Sequence, residues 1–289
     1  MMSPDRRNAM TVDVEDWFQV QAFAGIIDRA AWPLLEPRVA AVTERILDCF
    51  AAAQVRGTFF TLGWVAERNP ALIRRIVEGG HELASHGYGH ERVHEIGEKA
   101  FRADIRRAKQ VLEDIGGSAI SGYRAPTFSI NATTPWAHRV LAEEGYRYSS
   151  SSFPIQHDLY GAADAPRHPH FPARDGVVEL PMTTLRLLGR NLPCAGGGWF
   201  RLLPYRLFRA GLRRVNATQS DAGIFYFHPW ELDIGQPRQR HAPLRSKLRH
   251  YTGISSMTHR IERLLRDFSW ARMDEVHAAA IGASAPVAR

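Results

Sequence analysis

Short apolar runs alternate with segments of helical periodicity along most of the 289-residue chain, and this alternation constrains the fold more than any other feature. The predicted strands cover residues 10–14, 57–62, 81–85 and 224–228. A helix is predicted between the first two strands, where the apolar period changes from that of a strand to that of a helix. Strands separated by helices are typical of βα units, so the sequence predicts an α/β fold with a parallel sheet.

Proline positions predict where two further helices begin. Asn69 precedes Pro70, and Thr134 precedes Pro135. In each pair the first residue is a good helix cap and proline suits the first helical turn. We therefore expect helices to start at these two points.

A single domain is expected over residues 9–275. The segment 150–222 is rich in Pro, Gly and Ser and shows little periodicity, which favours long site-forming loops with short strands over a second domain. Residues 1–8 and 279–289 are expected to be flexible termini. The two cysteines lie far apart in sequence and indicate packing residues or idle thiols, not a disulfide framework.

Hydropathy and charge give expectations about location and partners. No stretch approaches the roughly 20 apolar residues of a spanning helix, and no apolar leader follows the N-terminal arginines, so we expect a cytoplasmic protein.

The formal net charge is +7, and much of the excess lies in residues 237–250 (PRQRHAPLRSKLRH). A solvated basic face is the usual explanation of such a run. The alternative is contact with an anionic partner, either a phosphate-bearing glycan precursor or a membrane surface.

Three carboxylic acids follow the first predicted strand within four positions, in the sequence TVDVEDWF. Asp13, Glu15 and Asp16 would be costly to bury unpaired, and a bound cation removes that cost. Because side chains alternate along a strand, Asp13 and Glu15 are expected to face the same way. An acidic loop exposed to solvent is the alternative.

Two histidines follow the strand predicted at 81–85, in the sequence SHGYGH. His86 and His90 are four residues apart, as metal-binding histidines often are. Gly87 and Gly89 favour a tight turn over a regular helix between them. With acids available from another strand, this arrangement favours a metal site over structural histidines.

Two further strand ends carry single polar candidates. Arg124, in GYRAP, keeps its charge inside a protein and needs an acidic partner, for which Asp13 is the leading candidate. His228, in IFYFHPW, is either a hydrogen-bonded core residue or a general acid–base group. A purely structural salt bridge would still place Arg124 beside the acids.

In this order, TVDVED, SHGYGH, GYRAP and FYFHPW resemble the NodB-homology polysaccharide deacetylases, which form carbohydrate esterase family 4. The segments SSFPIQHDLYG, GGGWFRLLPY and LRHYTG resemble the branch associated with exopolysaccharide biosynthesis in bacteria that carry exosortase systems. The resemblance implies a distorted (β/α) barrel with fewer than eight regular units. It also implies a site at the carboxyl ends of the strands, as in other barrels.

The resemblance further implies roles for individual residues. Asp13 matches the catalytic base, and His228 matches the catalytic acid. Arg124 matches the arginine that orients the base. His86 and His90 match the two histidine ligands of a divalent metal ion, with Zn²⁺ as the first expectation.

The first motif departs from the common family pattern, in which two adjacent aspartates serve as base and metal ligand. Val14 follows Asp13 here, so Glu15 and Asp16 compete for the role of acidic ligand. Glu15 is favoured because it shares a face with Asp13 as long as the strand stays extended. Asp16 is the alternative, and it becomes the better candidate for the metal ligand if a turn begins at Val14.

The implied reaction removes the N-acetyl group from an amino sugar of a polysaccharide or of its lipid-linked precursor. The metal ion and a backbone N–H near Tyr123 would stabilise the oxyanion. Asp13 would take a proton from water, and His228 would protonate the departing amine. Trp199 and Trp230 are candidate surfaces for stacking on sugars, although large aromatic residues more often belong to a core.

Two other functions stay open at this point. One is an amidohydrolase of a small cyclic amide on the same fold, which would need a closed pocket in place of an open groove. The other is a non-catalytic glycan-binding protein, against which the set Asp13, Arg124 and His228 argues, because binding alone needs no acid–base pair. Nucleic acid is not an expected partner, since basic and aromatic residues are not interleaved on one face. The sequence does not indicate the oligomeric state.

Overall fold

A computed structural model describes residues 6–174, 176–219 and 221–283 of the chain. The strands of this part are β1 (Asn8–Val14), β2 (Thr58–Thr61), β3 (Glu82–Ser85), β4 (Gly122–Tyr123), β5 (Tyr148–Ser149), β6 (Val178–Glu179), β7 (Thr184–Leu187), β8 (Arg190–Pro193), β9 (Ile224–Phe227) and β10 (Trp270–Ala271). Strands β1 to β6 pair in chain order, β1 also pairs with β9 and β10, and all of these pairings are parallel. Strands β7 and β8 form a separate antiparallel hairpin.

Helices flank the parallel sheet on both of its faces. They are α1 (Val39–Ala52), α2 (Gly63–Arg68), α3 (Pro70–Glu78), α4 (Val93–Gly116), α5 (Ala137–Glu143), α6 (Gly197–Leu202), α7 (Tyr205–Thr218), α8 (Leu244–Tyr251), α9 (Ile254–Asp267), α10 (Met273–Val276) and α11 (Ala278–Gly282). Short 3₁₀ segments lie at Gln21–Phe23, Arg29–Leu34, Pro126–Phe128 and Pro229–Leu232. Within the described residues, no helix has the length and apolar character needed to cross a membrane.

Strand residues alternate between two hydrophobic cores. Met10 and Val12 of β1 belong to the larger core, which includes the apolar faces of α1, α3, α4, α7 and α9. Phe60 of β2 and Tyr226 of β9 belong to a second core on the inner face of the sheet. Asp13 alternates with Val12 along β1 and therefore faces inward, towards the concave side.

The sheet is curved but does not close into a complete barrel. No strand ladder joins β6 to β9 in the part of the chain that the structure describes. The gap is bridged by a side chain instead, because the hydroxyl of Thr183 accepts a hydrogen bond from the backbone N–H of Ile224 at 2.6 Å. This half-barrel of short parallel strands confirms the predicted α/β barrel with fewer than eight regular units.

The strand register aligns the carboxyl ends on which the site depends. Val14 of β1 pairs with Thr61 of β2, Thr61 pairs with Ser85 of β3, and Ser85 pairs with Tyr123 of β4. The residues that follow three of these strands, Glu15, His86 and Arg124, therefore leave the same edge of the sheet. Parallel strands thus bring together side chains that lie far apart in sequence.

The segment 150–222 contains more regular structure than its composition predicts. The 14-residue helix α7 was missed, although Tyr205, Phe208, Leu212 and Val215 are buried at helical spacing along it. The surrounding Pro, Gly and Ser residues hid this apolar stripe. At the C-terminus, part of the predicted flexible tail forms α11, whereas residues 1–5 and 284–289 lie outside the described residues.

The two predicted helix caps are wrong in detail. Helix α3 begins at Pro70 as expected, but the side chain of Asn69 makes no cap and donates to the carbonyl of Val65 instead. The hydroxyl of Thr134 bonds within a turn with Asn131, and helix α5 starts only after that turn. Short-range hydrogen bonds from the side chains to the backbone therefore replace capping at both positions.

Candidate active site

Asp13 and Arg124 form a buried ion pair at the centre of the concave face. Arg124 Nη1 lies 2.6 Å from Asp13 Oδ1. The guanidinium also donates to the hydroxyl of Thr11 and to the carbonyl and hydroxyl oxygens of Ser150, and it lies over the ring of Phe60. Since Arg124 is fully buried, these acceptors fix it in place and it in turn fixes one oxygen of Asp13.

Glu15, His86 and His90 converge beside this ion pair. All three are buried, and one ligand atom from each lies within 4.8 Å of the others. Oε2 of Glu15 lies 2.7 Å from Nε2 of His90 and 3.9 Å from Nε2 of His86. One carboxylate and two imidazoles form a donor set that suits Zn²⁺ and related divalent ions.

The backbone around the two histidines orients their rings. Nδ1 of His86 lies 2.8 Å from the carbonyl oxygen of Arg124, an arrangement that leaves Nε2 directed towards Glu15. Gly87 and His90 both adopt positive φ angles, +76° and +55°, as a tight turn requires. The turn predicted from the glycines is thus the one that brings both rings to the same point.

Glu15 Oε2 provides a structural test of whether a metal ion fits. This oxygen is buried and accepts no well-aligned hydrogen bond from the described residues, even though His90 is near. A buried carboxylate oxygen without a donor is costly unless a cation neutralises it. The residues present therefore fit a divalent cation.

His228 faces the carboxylates from the end of β9. Its Nε2 lies 4.0 Å from Oδ2 of Asp13 and 3.7 Å from Oε1 of Glu15. Its Nδ1 lies 2.8 Å from Oε1 of Glu231, and Glu231 Oε2 accepts a hydrogen bond from Arg201 Nε at 2.7 Å. Glu231 therefore sets the orientation of the imidazole while Nε2 remains directed at the cavity.

Neighbouring charges and burial shift the pKa values of the acid and of the histidines in this site. Burial alone would raise the pKa of Glu15, but His90 and His228 outweigh it and lower that pKa to about 2. Burial alone would lower the pKa of His228, but the carboxylates of Glu15, Glu231 and Asp13 raise it to about 9. Burial lowers the pKa of His86 to about 4, which keeps its Nε2 available as a neutral ligand.

A cavity opens in front of these groups. Its wall includes Asp13, Glu15, His86, His90, His228, Trp230, Thr127, Tyr160, Tyr226 and Arg249. Trp230 lies between the rings of His228 and His250, at 5.1 and 4.2 Å between centroids, and its Nε1 donates to Glu15 Oε1. Trp230 is thus in the wall as expected, but both of its faces are stacked on histidines and its N–H is used by Glu15.

Two of the predicted substrate-binding residues lie away from the cavity wall. The side chain of Tyr123 is buried and packs against Phe101 and Tyr146 in the larger core. Trp199 is half-buried and contacts the ring of His157. The sequence also predicts that a backbone N–H near Tyr123 stabilises the oxyanion. The position of the side chain does not bear on this role, which stays a prediction.

Asp16 turns away from the histidines. Its Oδ2 accepts hydrogen bonds from the backbone N–H groups of Arg38 and Val39 at the start of α1, at 2.8 and 3.0 Å. Its Oδ1 accepts from the N–H of Trp17. The geometry thus supports Glu15 as the acidic ligand, and the assignment itself stays a prediction.

Sequence reasoning missed two charged residues that support the site. Glu231 follows His228 by three residues within HPWE, a spacing that could have been taken as a side-chain pair at a chain turn. Arg201 lies in the segment GGGWFRLLPY, whose resemblance to the exopolysaccharide branch indicates no role for this arginine. No local pattern links Arg201 to Glu231, because only the fold brings them together.

Comparisons with known proteins agree with this architecture. Residues 32–149 match the family model described as polysaccharide deacetylase, and residues 150–278 match the model of a domain of unknown function, DUF3473. A structure described as a polysaccharide deacetylase of Mycobacterium smegmatis shares the fold with a TM-score of 0.59 and 22% identity, over 98% of this chain and 93% of that one.

Curated relatives match over shorter segments. Over 84 residues the chain is 33% identical to a peptidoglycan-N-acetylglucosamine deacetylase of Bacillus cereus, covering 29% of this chain and 30% of that protein. Over 71 residues it is 42% identical to a chitooligosaccharide deacetylase of Sinorhizobium fredii, covering 25% of this chain and 30% of that protein. The matched segments thus span less than a third of either relative's own length.

A half-barrel with a carboxylate–arginine pair, a Glu–His–His cluster and a facing histidine at its strand ends defines an α/β protein with a candidate hydrolytic centre. The matches are to polysaccharide deacetylases, and residues 32–149 are the segment that is similar to that family's model. His228, Glu231 and Arg201 lie outside this segment, in the part that matches the domain of unknown function.

Proposed function

We propose that this protein is a metal-dependent hydrolase that removes N-acetyl groups from amino sugars of a polysaccharide or its precursor. One observation carries the proposal: Asp13 Oδ2 and His228 Nε2 face each other at 4.0 Å in the wall that also holds the Glu15–His86–His90 cluster. Amide hydrolysis needs a proton acceptor for water and a proton donor for nitrogen close together. Binding alone needs neither.

Asp13 is suited to accept the proton of water. Arg124 holds Oδ1 by a direct hydrogen bond, so Oδ2 is the oxygen directed towards His228 and the cavity. Arg124 therefore acts through Asp13 and positions it.

His228 is suited to donate a proton to the departing amine nitrogen. Nδ1 of His228 is paired with the carboxylate of Glu231, so the proton available to a substrate is the one on Nε2. Arg201 compensates the charge of Glu231, which is fully buried and would otherwise face His228 alone. This arrangement supports proton donation from a fixed position.

Glu15, His86 and His90 would hold the divalent ion, and Zn²⁺ is the ion that we propose. When bound, such an ion polarises the acetyl carbonyl and lowers the pKa of water. Trp230 helps to place the ligand set, since its Nε1 donates to the second oxygen of Glu15. Oε2 is thereby left as the ligand atom.

The substrate class is proposed from the relatives and from the chain's own motifs. The named relatives act on peptidoglycan N-acetylglucosamine and on chitooligosaccharides. The segments SSFPIQHDLYG, GGGWFRLLPY and LRHYTG favour a role in exopolysaccharide biosynthesis, on the polymer or on a lipid-linked precursor. A cytoplasmic location is part of this proposal, and fractionation of cells that produce the native protein tests it.

Acetate release from a panel of N-acetylated oligosaccharides tests the proposal. The protein is stripped with a chelator and assayed before and after addition of Zn²⁺ or other divalent ions. We expect no release by the stripped protein and recovery with metal. A panel of small cyclic amides serves as the comparison. Turnover of those compounds alone, or full activity without metal, would overturn the proposal.

A further inference from the structure

Helix α8 is amphipathic in the reverse sense of an ordinary surface helix. Its one fully buried side chain is a histidine, His250, whereas Leu244 and Leu248 are 69% and 58% exposed. These leucines are four residues apart and so lie on the same helix face. A helix that needed only to pack on the domain would bury its leucines and expose its histidine.

Positive charge lies beside Leu248. Leu248 lies in the wall of a surface groove with Arg238, Arg240 and Lys247. The sequence has no Asp or Glu between Asp233 and Glu262, so the local charge is of one sign. The groove therefore presents cations next to the exposed Leu248, which shares its helix face with Leu244.

An acid that contacts α8, Asp158, pairs with cations outside this groove. It lies 3.0 Å from Arg245 and 2.8 Å from Arg249, and neither arginine belongs to the groove wall. The same contacts attach α8 to the mouth of the active-site cavity. Arg249 and His250 of α8 themselves belong to the wall of that cavity.

We propose that the exposed face of α8, with the basic groove beside it, is a docking surface for a bilayer that contains anionic lipids. A lipid surface presents phosphate groups to Arg238, Arg240 and Lys247 and an apolar layer to Leu244 and Leu248. Charge complementarity alone would suit any polyanion. A soluble polyanion, however, has no apolar layer that could bury the exposed leucines. Amphipathic helices with basic and leucine side chains bind bilayer interfaces in this manner.

The docked orientation would bring the cavity mouth close to the membrane surface, since α8 contributes to both. A glycan whose lipid carrier lies in the bilayer would then reach the cavity without leaving the membrane. Docking itself does not depend on catalysis. Its test therefore separates it from the proposed deacetylase activity.

Vesicle co-sedimentation tests the proposal with phosphatidylcholine vesicles that either lack or contain phosphatidylglycerol. We expect the full chain to sediment with the anionic vesicles only, and less so at high salt, because salt screens exposed charges. Arg240→Gln combined with Lys247→Gln should lower the partition coefficient about tenfold or more. Leu244→Ser combined with Leu248→Ser should lower it as well, most clearly at high salt.

The matched control is Arg74→Gln combined with Lys99→Gln, which removes two exposed charges from α3 and α4. It should bind like the wild type, and so should the Asp13→Asn variant. Equal effects of the control and of the groove variant would overturn the proposal, as would binding that ignores lipid charge. Unchanged binding by the leucine variant, together with binding to heparin, would instead make the surface a polyanion site.

Discussion

Oε1 of Glu231 lies 2.8 Å from Nδ1 of His228 and also accepts a hydrogen bond from the backbone N–H of the same residue at 3.1 Å. The carboxylate therefore holds both the main chain and the ring of the proposed acid. Space around it is limited, because a Cβ atom added to Gly197 would lie 2.2 Å from Oε1. The glycine at the start of α6 is thus part of what positions His228.

Gly197→Ala should destabilise the protein by about 1–3 kcal/mol, the usual cost of overpacking a closed site. Gly198→Ala is the matched control, since nothing lies within 4 Å of a Cβ atom at the next helical position. Alanine also favours a helix over glycine, so the control should keep or slightly raise stability. Thermal unfolding of both variants is the measurement. Equal stability of the two would show that Glu231 moves aside at little cost.

Glu15→Gln and Asp16→Asn should separate the two adjacent acids. The first removes a ligand charge and should weaken binding of Zn²⁺ by a large factor, on the order of a hundredfold. The second should leave metal affinity close to the wild-type value and cost about 1 kcal/mol of stability, because Asp16 satisfies the first N–H groups of α1. Competition titration with a zinc chelator and thermal unfolding give the two readouts. The reverse pattern would assign the metal to Asp16.

Asp13→Asn should lower kcat by about 10²–10⁴-fold, the scale of general acid–base catalysis. The amide oxygen can still accept the hydrogen bond from Arg124, whose other acceptors, Thr11 and Ser150, are unchanged. We therefore expect a folded protein that still binds Zn²⁺. Steady-state acetate release and metal content are measured on the same preparation. A variant that keeps its metal and the wild-type rate would remove Asp13 from the role of base.

Glu179→Gln should change how stability depends on pH. Oε1 of Glu179 accepts hydrogen bonds from the backbone N–H groups of Ser151 and Ser152, and Oε2 lies 2.9 Å from Nε2 of His138. Burial alone would raise the pKa of Glu179, but His138 and these N–H groups lower it from 4.5 to about 2.

A folded-state pKa below the unfolded one means that the ionised form stabilises the fold. By linkage, Glu179 contributes about 3 kcal/mol above pH 4.5, and that contribution is lost as the pH falls towards 2. The stability difference between wild type and Glu179→Gln should therefore be largest near neutral pH and shrink below pH 4.5. Urea unfolding at a series of pH values measures it. A difference that stays constant with pH would contradict the linkage.

The sequence was sufficient for those parts of the fold and site that depend on local pattern. The period-two alternation in TVDVED predicts that Asp13 and Glu15 share a face, and the structure places both on the concave side of the sheet. The glycines between His86 and His90 predict a turn, and both Gly87 and His90 adopt the positive φ angles of one. Each of these inferences needed only a few neighbouring residues.

The parts that could not be predicted depend on contacts between distant segments. Nothing near Arg201 in sequence indicates that it pairs with Glu231. Trp230 looked like a sugar-stacking surface, but His228 and His250 occupy its two faces. Helix α7 was hidden because turn-forming residues around it masked a stripe of only four buried positions. Tertiary packing decided each of these outcomes.

The pairing of β1 with β9 and β10 has a consequence for how the protein matures on the ribosome. The proposed base and acidic ligand emerge with the first strand, but His228 follows the ninth of the ten described strands. A nascent chain that has completed six strands holds Asp13 and both ligand histidines without the proposed proton donor, because domains are synthesised from the N-terminus. An unfinished or C-terminally truncated copy would therefore lack both the proposed proton donor and the strands that pair with β1, so catalytic competence would itself report that synthesis has finished.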